Sequence, residues 1–144
     1  MEQMTAVYPS IEPHLSRLAE EATPACIELL RDLVTIPSPT RGERLACERV
    51  HKEMERLGYA DVHFDEMGNV LGRFGTGPRI LAFDAHVDTV GITNPSLWRY
   101  DPFRGVVSGG TLFGRGASDQ KGGLATVVHG VALAARLGLP EEVT

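Results

Sequence analysis

A continuous apolar run of strand length, RILAFDAH at residues 79–86, most constrains what this chain can fold into. A strand with one wet face alternates polar and apolar residues, whereas a run without alternation predicts a strand that is buried on both faces. Such a strand requires helices on the two sides of its sheet. The run therefore predicts an α/β domain in which a mixed sheet is flanked by helices.

Long segments at both ends of the chain predict those helices. Hydrophobic residues recur at helical spacing over residues 13–36, where Pro24 is expected to divide the helix and Thr23 to cap its second part. A second apolar helix is expected over residues 122–139, after a glycine-rich loop. The segments at the start and at the end of the chain thus supply the helical layers that the α/β class requires.

Shorter elements lie between these helices. Thr40 and Glu43 have the T-x-x-E spacing of a capping box, which predicts the start of a helix there. Alternating segments separated by glycine-containing turns predict two β-hairpins, residues 61–64 with 69–74 and residues 105–108 with 111–114.

The composition excludes several classes of partner. A net charge of −5 gives no electrostatic basis for binding nucleic acid or an anionic membrane. No apolar run is long enough to span a membrane, and the first residues lack the features of a signal peptide, so a cytoplasmic location is expected. Cys26 and Cys47 form no CxxC pair and are expected to be free thiols that are buried or half-buried, with a catalytic thiol as the alternative.

The loop GRGASDQKGG, residues 114–123, has the glycines of a phosphate-binding loop but not its other residues. A dinucleotide fingerprint would place glycine at Asp119, where a carboxylate repels the pyrophosphate. A Walker A motif also fails, because Gln120 precedes Lys121 and Gly122 follows it. Asp119 is then a helix cap or a metal ligand, and the flanking glycines allow the close approach that a ligand needs.

The apolar run ends in a second candidate motif, HVD at residues 86–88. In an extended strand Asp84, His86 and Asp88 point to one face, at the strand end where ligands gather in α/β sheets. Asp88 or Asp84 could accept a hydrogen bond from the second ring nitrogen of His86, as carboxylates do behind histidine ligands. A lone histidine is more often a core residue, but a second acidic strand end at Asp119 favours a metal site.

Together, AFDAHVDTVG and GRGASDQKGG resemble the paired motifs of the M20 family of metallohydrolases. This family includes glutamate-releasing carboxypeptidases, aminoacylases, acetylornithine deacetylase and succinyl-diaminopimelate desuccinylase, and the resemblance is nearest to a branch linked to selenium metabolism. It implies that residues 1–144 are the N-terminal portion of a zinc-peptidase-like catalytic domain. The rest of that domain and the smaller domain that often mediates dimers are not expected in this chain.

The resemblance also implies roles for particular residues. His86 corresponds to a ligand of one zinc ion, Asp119 to the carboxylate that bridges two zinc ions, and Asp88 to the catalytic-site acid that orients the histidine. A cis peptide is expected between Asp119 and Gln120. The implied cofactor is zinc, two ions in the complete enzyme, with cobalt or manganese as alternatives.

The implied activity is hydrolysis of amide bonds in peptides or N-acyl amino acids by water activated at the metal pair. A small acylated amino acid or peptide is the expected partner, and the full-length enzyme is expected to be a homodimer. Arg115 and Lys121, which flank Asp119, are expected to steady the motif rather than to catalyse. Trp98 is expected to be a packing anchor.

The family's glutamate base, its remaining acidic ligands and its late histidine ligand are not recognised in this sequence. Glu141 and Glu142 lie too close to Asp119 to be the family's glutamate pair, and His129 is expected to be a structural residue of the last helix. Two hypotheses therefore remain. The chain is part of a dinuclear metal hydrolase, or it is a catalytically inactive fragment that binds metal weakly at most.

Overall fold

The structure, a computed structural model, describes the backbone of residues 8–138 and 143–144 and the side chains of residues 13–138 and 143–144. The helices and strands are α1 (Tyr8–Thr35), α2 (Arg44–Leu57), β1 (Ala60–Phe64), β2 (Val70–Arg73), β3 (Val106–Ser108), β4 (Thr111–Phe113) and α3 (Gly122–Arg136), with a short 3-10 helix at Pro95–Leu97. These elements confirm the predicted α/β class.

The three helices pack against one another and form the core. Each helix contributes one apolar face, and the side chains that meet there are almost completely inaccessible to solvent: Leu29, Leu33, Ala46, Val50, Leu124, Ala125 and Val128. Helix α2 ends at Gly58, which adopts the left-handed conformation at the C-terminus of the helix. Burial of these apolar faces is the main force that stabilises this half of the molecule.

Helix α1 differs from its prediction, because Pro24 does not divide it. The helix runs without interruption from Tyr8 to Thr35. Proline removes one backbone hydrogen bond, but the packing of α1 against α3 keeps the helix continuous across that position. Thr23 is not a cap: its hydroxyl donates to the carbonyl of Ala19, one turn earlier, at 2.7 Å.

Both predicted hairpins form. Strands β1 and β2 pair antiparallel, with an irregularity of register between Ala60 and His63, and β3 and β4 pair antiparallel across a glycine turn. A single parallel bridge joins Arg79 to Val143. Among the described residues, both strand directions therefore occur, although no larger sheet connects them.

Residues 79–90, called here the apolar segment, depart most from expectation. The prediction of a strand buried on both faces is wrong in this structure, because Ile80, Leu81 and Phe83 are 79%, 65% and 57% exposed. The N–H of Leu81 donates to the carbonyl of Thr144 at 3.0 Å. Within the described part of the chain, residues 80–84 are exposed, whereas Ala85 and Val87 are partly buried against the helical core. The helices therefore cover only the part of this segment that leads into HVD, and its first apolar residues remain in solvent.

The described helices can be compared with the helix that a membrane span requires. None of them combines the length and the apolar character that a membrane crossing requires. The predicted free thiols are confirmed, since Cys26 and Cys47 are both unpaired and half-buried.

Candidate metal centre

The two sequence motifs meet although they lie more than 25 residues apart in the chain. The end of the apolar segment and the loop before α3 enclose an open cavity of about 240 Å³. Its lining combines one imidazole, two carboxylates and one guanidinium with small residues: His86, Asp88, Thr89, Val90, Arg115, Gly116, Ser118 and Asp119. The chemically active side chains predicted from the two motifs therefore share one pocket.

His86 is the centre of this pocket. Its Nε2 lies 3.1 Å from Oδ1 of Asp119, and its Nδ1 lies 3.1 Å from both the carbonyl oxygen and Oδ1 of Asp88. Partial burial lowers the pKa of His86, but the hydrogen bonds and charges of Asp119 and Asp88 outweigh it, and the pKa stays above its ordinary value. The imidazole thus sits between two carboxylates, one on each ring nitrogen.

Asp119 reaches His86 from a distorted turn, Ala117–Lys121, that precedes α3. Asp119 itself is extended, with φ −120° and ψ 99°, so its side chain leaves the helical path. The peptide between Asp119 and Gln120 is cis, which confirms that expectation from the family resemblance. The carboxylate is 90% exposed, so it is open to a cation as well as to His86.

Gly116 makes the approach of the two motifs possible. Its φ of +78° is a left-handed conformation that favours glycine. A Cβ atom at this position would also collide with the side-chain methyl of Thr89, which belongs to the other motif. The glycines of the loop therefore serve close packing around Asp119, as the sequence predicts.

Asp88 lies behind His86, on the side away from Asp119. Its Oδ1 contacts Nδ1 of His86, and its Oδ2 accepts a hydrogen bond from the hydroxyl of Thr40 at 2.9 Å. The capping box predicted for Thr40 is accordingly wrong: α2 begins at Arg44 without a side-chain cap, and Thr40 serves the site instead. Between Asp84 and Asp88, which the sequence left open, the structure selects Asp88 as the partner of His86.

Lys121 is a site residue whose partners the sequence did not reveal. Its side chain is completely buried, and Nζ donates to the carbonyls of Leu33 at 2.7 Å and Ile36 at 2.9 Å. Burial lowers the pKa of this ammonium to about 8. The only signal in the sequence was its position two residues after Asp119, which gave no information on the partners that it reaches in α1.

Arg115 joins the pocket to the long loop before β3. Its guanidinium lies 4.9 Å from the centre of the Trp98 ring and donates through Nη2 to the carbonyl of Gly91 at 3.3 Å. These contacts agree with the expectation that Trp98 anchors packing and that Arg115 steadies the motif. Arg115 still faces the cavity and adds a positive charge beside the two carboxylates.

The donors in the pocket fit a metal ion in type but fall short in number. Imidazole nitrogen and carboxylate oxygen are typical zinc ligands, and the ring nitrogen of His86 that faces Asp88 is held as in known histidine–metal sites. Over residues 13–138 and 143–144, however, no group of three or more His, Cys, Asp and Glu side chains is placed to hold a metal. Glu141 and Glu142, which the sequence excluded as the family's glutamate pair, lie outside the described residues.

The other candidate residues, His129 and the two cysteines, do not line the pocket. His129 is buried in α3, as the sequence predicts for a structural residue, and faces Glu53 rather than the pocket. Burial raises the pKa of the Cys26 and Cys47 thiols, which disfavours the reactive thiolate and the catalytic-thiol alternative.

Comparison with known proteins places these motifs in context. Residues 82–144 match the model of peptidase family M20/M25/M40. The chain is 47% identical over 115 residues to the uncharacterised protein YgeY of Escherichia coli K12, an alignment that covers 80% of this chain and 28% of that protein.

Two further relatives carry a functional name, succinyl-diaminopimelate desuccinylase. The chain is 38% identical over 130 residues to the protein of this name from Rhodopseudomonas palustris, covering 83% of this chain and 33% of that protein. It is 36% identical over 115 residues to that from Rhodospirillum centenum, covering 75% of this chain and 30% of that protein. The chain thus spans about a third, or less, of the length of the curated relatives it matches.

Proposed function

Because this chain belongs to the M20 family of peptidases, we propose that it is the N-terminal portion of the catalytic domain of a metal-dependent amide hydrolase. The substrates of that enzyme would be peptides or N-acyl amino acids. The desuccinylase name of several relatives supports an N-acyl amino acid in particular. The complete enzyme would be a homodimer, in keeping with the family resemblance.

One observation carries the proposal: Nε2 of His86 and Oδ1 of Asp119, two residues 33 positions apart in the chain, lie 3.1 Å from each other. We assign His86 and Asp119 as metal ligands, with Asp119 as the carboxylate shared between two ions. The proposed ions are zinc, and cobalt or manganese would suit the same donors. When bound, such a pair would polarise an amide carbonyl and lower the pKa of water enough for it to act as a nucleophile at neutral pH.

Asp88 has the supporting role in this proposal. With a metal bound, its carboxylate and carbonyl oxygen would accept the Nδ1–H of His86, which would leave Nε2 as the ligand atom. Thr40 in turn fixes Asp88 by a hydrogen bond to its other carboxylate oxygen. These contacts would orient the histidine ligand and favour the tautomer with its proton on Nδ1.

The number of donors favours a second, weaker function for the isolated chain. Two side chains from the described residues cannot complete the four-coordinate environment that zinc usually has in proteins. Among the described residues that line the pocket there is also no glutamate that could serve as a general base. We therefore expect the 144-residue chain to bind metal weakly and to hydrolyse no amide at a measurable rate.

Cobalt(II) titration of the chain, followed by nuclear magnetic resonance, tests this proposal. Broadening of signals is expected around residues 86–88 and 117–121, and His86→Ala should abolish it, whereas His63→Ala on the exposed strand β1 should not. Hydrolysis of N-succinyl amino acids should be absent for every variant. Broadening that survives His86→Ala would exclude the assigned ligands, and tight binding of two zinc ions would exclude the weak-binding function.

A further inference from the structure

Both halves of the candidate metal centre are bonded to one short segment, residues 33–40, which is called here the α1 bracket. It contains the last turn of α1 and the residues that follow it. It lies outside both sequence motifs, and the motifs themselves are separated in the chain by the β3–β4 hairpin. It forms hydrogen bonds with both motifs.

The His86 half is bonded to the bracket through Ser38. The hydroxyl of this completely buried serine donates to the carbonyl of Val87 at 2.7 Å, and its own carbonyl accepts from the N–H of Thr89 at 2.8 Å. Thr40 adds the hydrogen bond to Asp88. The backbone on the C-terminal side of His86 is therefore fixed from the bracket.

The Asp119 half is bonded to the bracket through Lys121. Its ammonium donates to the carbonyls of Leu33 and Ile36, which lie at the end of α1 where helix carbonyls lose their partners within the helix. The N–H of Lys121 donates to the carbonyl of Gly116 at 2.9 Å, which closes the turn around Asp119. One side chain thus bonds the turn that carries Asp119 to the C-terminus of a helix.

Lys121 does not act on a substrate in this arrangement. Its side chain is completely buried, it does not line the cavity, and its ammonium points into the end of α1. A buried ammonium is costly unless it is hydrogen-bonded, so its position is fixed by the two carbonyls rather than by solvent. Those carbonyls belong to the same bracket that holds the His86 half.

We propose that Lys121 is a positioning residue of the metal centre, and that the α1 bracket sets the distance between His86 and Asp119 by holding both motifs. This inference rests on the proposed metal site for its effect on binding, but its structural part is independent of metal. Loss of the Lys121 ammonium should loosen the bracket and so also weaken the bond between Ser38 and Thr89, which lies on the far side of the site.

Amide hydrogen exchange of the 144-residue chain tests the structural part without any metal. In Lys121→Met, which keeps the aliphatic stem, exchange of the Thr89 amide should accelerate about tenfold relative to the Glu53 amide in α2. The control is Val50→Ala, a core change in α2 that lowers stability away from the site. In the control, the two amides should accelerate together.

Cobalt(II) affinity tests the consequence for binding. Partners that hold metal ligands in place typically contribute about 10- to 100-fold to affinity, so Lys121→Met should weaken binding at least tenfold while Val50→Ala leaves it unchanged. Lys121→Arg, which keeps a cation with donors, should recover part of the affinity. If Lys121 only stabilised the fold, neither Lys121→Met nor Lys121→Arg would bind cobalt more weakly after correction for the folded fraction.

The outcomes separate the two proposals. If the unmodified chain shows no cobalt binding that depends on His86, the proposed function fails, and the Thr89 exchange still decides the inference. If Lys121→Met leaves both the Thr89 exchange ratio and the cobalt affinity unchanged, the inference is overturned. Should Lys121→Met not fold, Ser38→Ala replaces it, and an unchanged cobalt affinity in that folded variant also overturns the inference.

Discussion

The helical core and the apolar segment have similar side chains and opposite environments. Leu29 in α1 is completely buried, whereas Leu81 in the apolar segment is 65% exposed. The helices bury their apolar faces on one another, so each of them finds within this chain the surfaces that cover it. The apolar segment has the sequence of an interior strand, but among the described residues only its Ala85 and Val87 pack against the helices, while residues 80–84 stay exposed. Apolar composition therefore indicates which side chains can be buried, whereas their actual burial depends on whether other elements pack against them.

The largest expected difference comes from removing matched leucines. Leu29→Ala should lower the free energy of unfolding by about 2–5 kcal/mol, because it removes buried contacts and leaves a cavity. Leu81→Ala should change it by less than about 0.5 kcal/mol, because the side chain is already in solvent. Urea denaturation of both variants measures the difference. Equal losses would mean that the apolar segment is packed in solution.

The buried charge of Glu53 should have the next largest effect. This carboxylate in α2 is 3% exposed and is paired with Arg56 and with Arg49, whose Nη1 lies 2.8 Å away. Glu53→Gln should lower the free energy of unfolding by about 2 kcal/mol, because it removes the buried charge that the half-buried Arg49 and the exposed Arg56 share.

Glu48→Gln is the matched control for this change. Glu48 lies on the same helix, and its ion pair with Arg44 has the same N–O distance, 2.8 Å, but is exposed to solvent. Its effect should stay below about 0.5 kcal/mol, as is usual for surface pairs. Similar urea midpoints for the two variants would show that burial of Glu53 does not matter.

Acid should weaken the helical core through two groups that face each other, Glu53 and His129. Burial raises the pKa of Glu53, but hydrogen bonds from Arg56 and Arg49 outweigh it and hold the pKa below its ordinary value. Burial lowers the pKa of His129, and the neighbouring arginines add to this, against the opposing charge of Glu53. Folding therefore favours the deprotonated form of both groups.

The direction of the pH effect follows from these shifts. Each contribution is present above the unfolded pKa, ordinarily 6.5 for His129 and 4.5 for Glu53, and is lost as the pH falls through the lowered folded value. The free energy of unfolding should thus fall by about 1–2 kcal/mol between neutral pH and pH about 4. Urea midpoints across this range measure it. Glu53→Gln should remove the more acidic part of the decrease, and a flat profile in the unmodified chain would contradict the assignment.

The smallest effect on stability, but a visible one on solubility, is expected from Phe83→Lys. Exposed apolar side chains on one stretch of chain favour association between chains, and a lysine among them opposes it. The variant should be less associated in sedimentation experiments while its free energy of unfolding changes by less than about 0.5 kcal/mol. A large loss of stability would mean that Phe83 is buried in the folded chain.

Much of the fold and of the site could be predicted from local patterns. Helical periodicity and glycine turns predicted α2, α3 and both hairpins, because these depend on neighbours close in sequence. The motifs predicted His86 and Asp119, and the structure places them in contact. Their roles as ligands, and that of Asp88, remain predictions that the cobalt experiment addresses.

The predictions that failed concern residues whose partners are distant in the chain. Pro24 was expected to divide α1, but packing against α3 keeps the helix continuous. Thr40 has the spacing of a helix cap, yet its hydroxyl bonds to Asp88, 48 residues away. Lys121 reaches carbonyls more than 80 residues earlier in the chain. No local spacing encodes such contacts.

The sequence by itself determined the chemistry of this protein, namely an imidazole and a carboxylate in two glycine-flanked motifs. It also determined helices whose apolar faces can form a core. Only the tertiary structure decided the geometry, namely that the end of α1 holds both motifs and that Asp88 rather than Asp84 faces His86. The physical reason is range. Residue type and periodicity act over a few positions, whereas the hydrogen bonds that align the site join segments that only folding brings together.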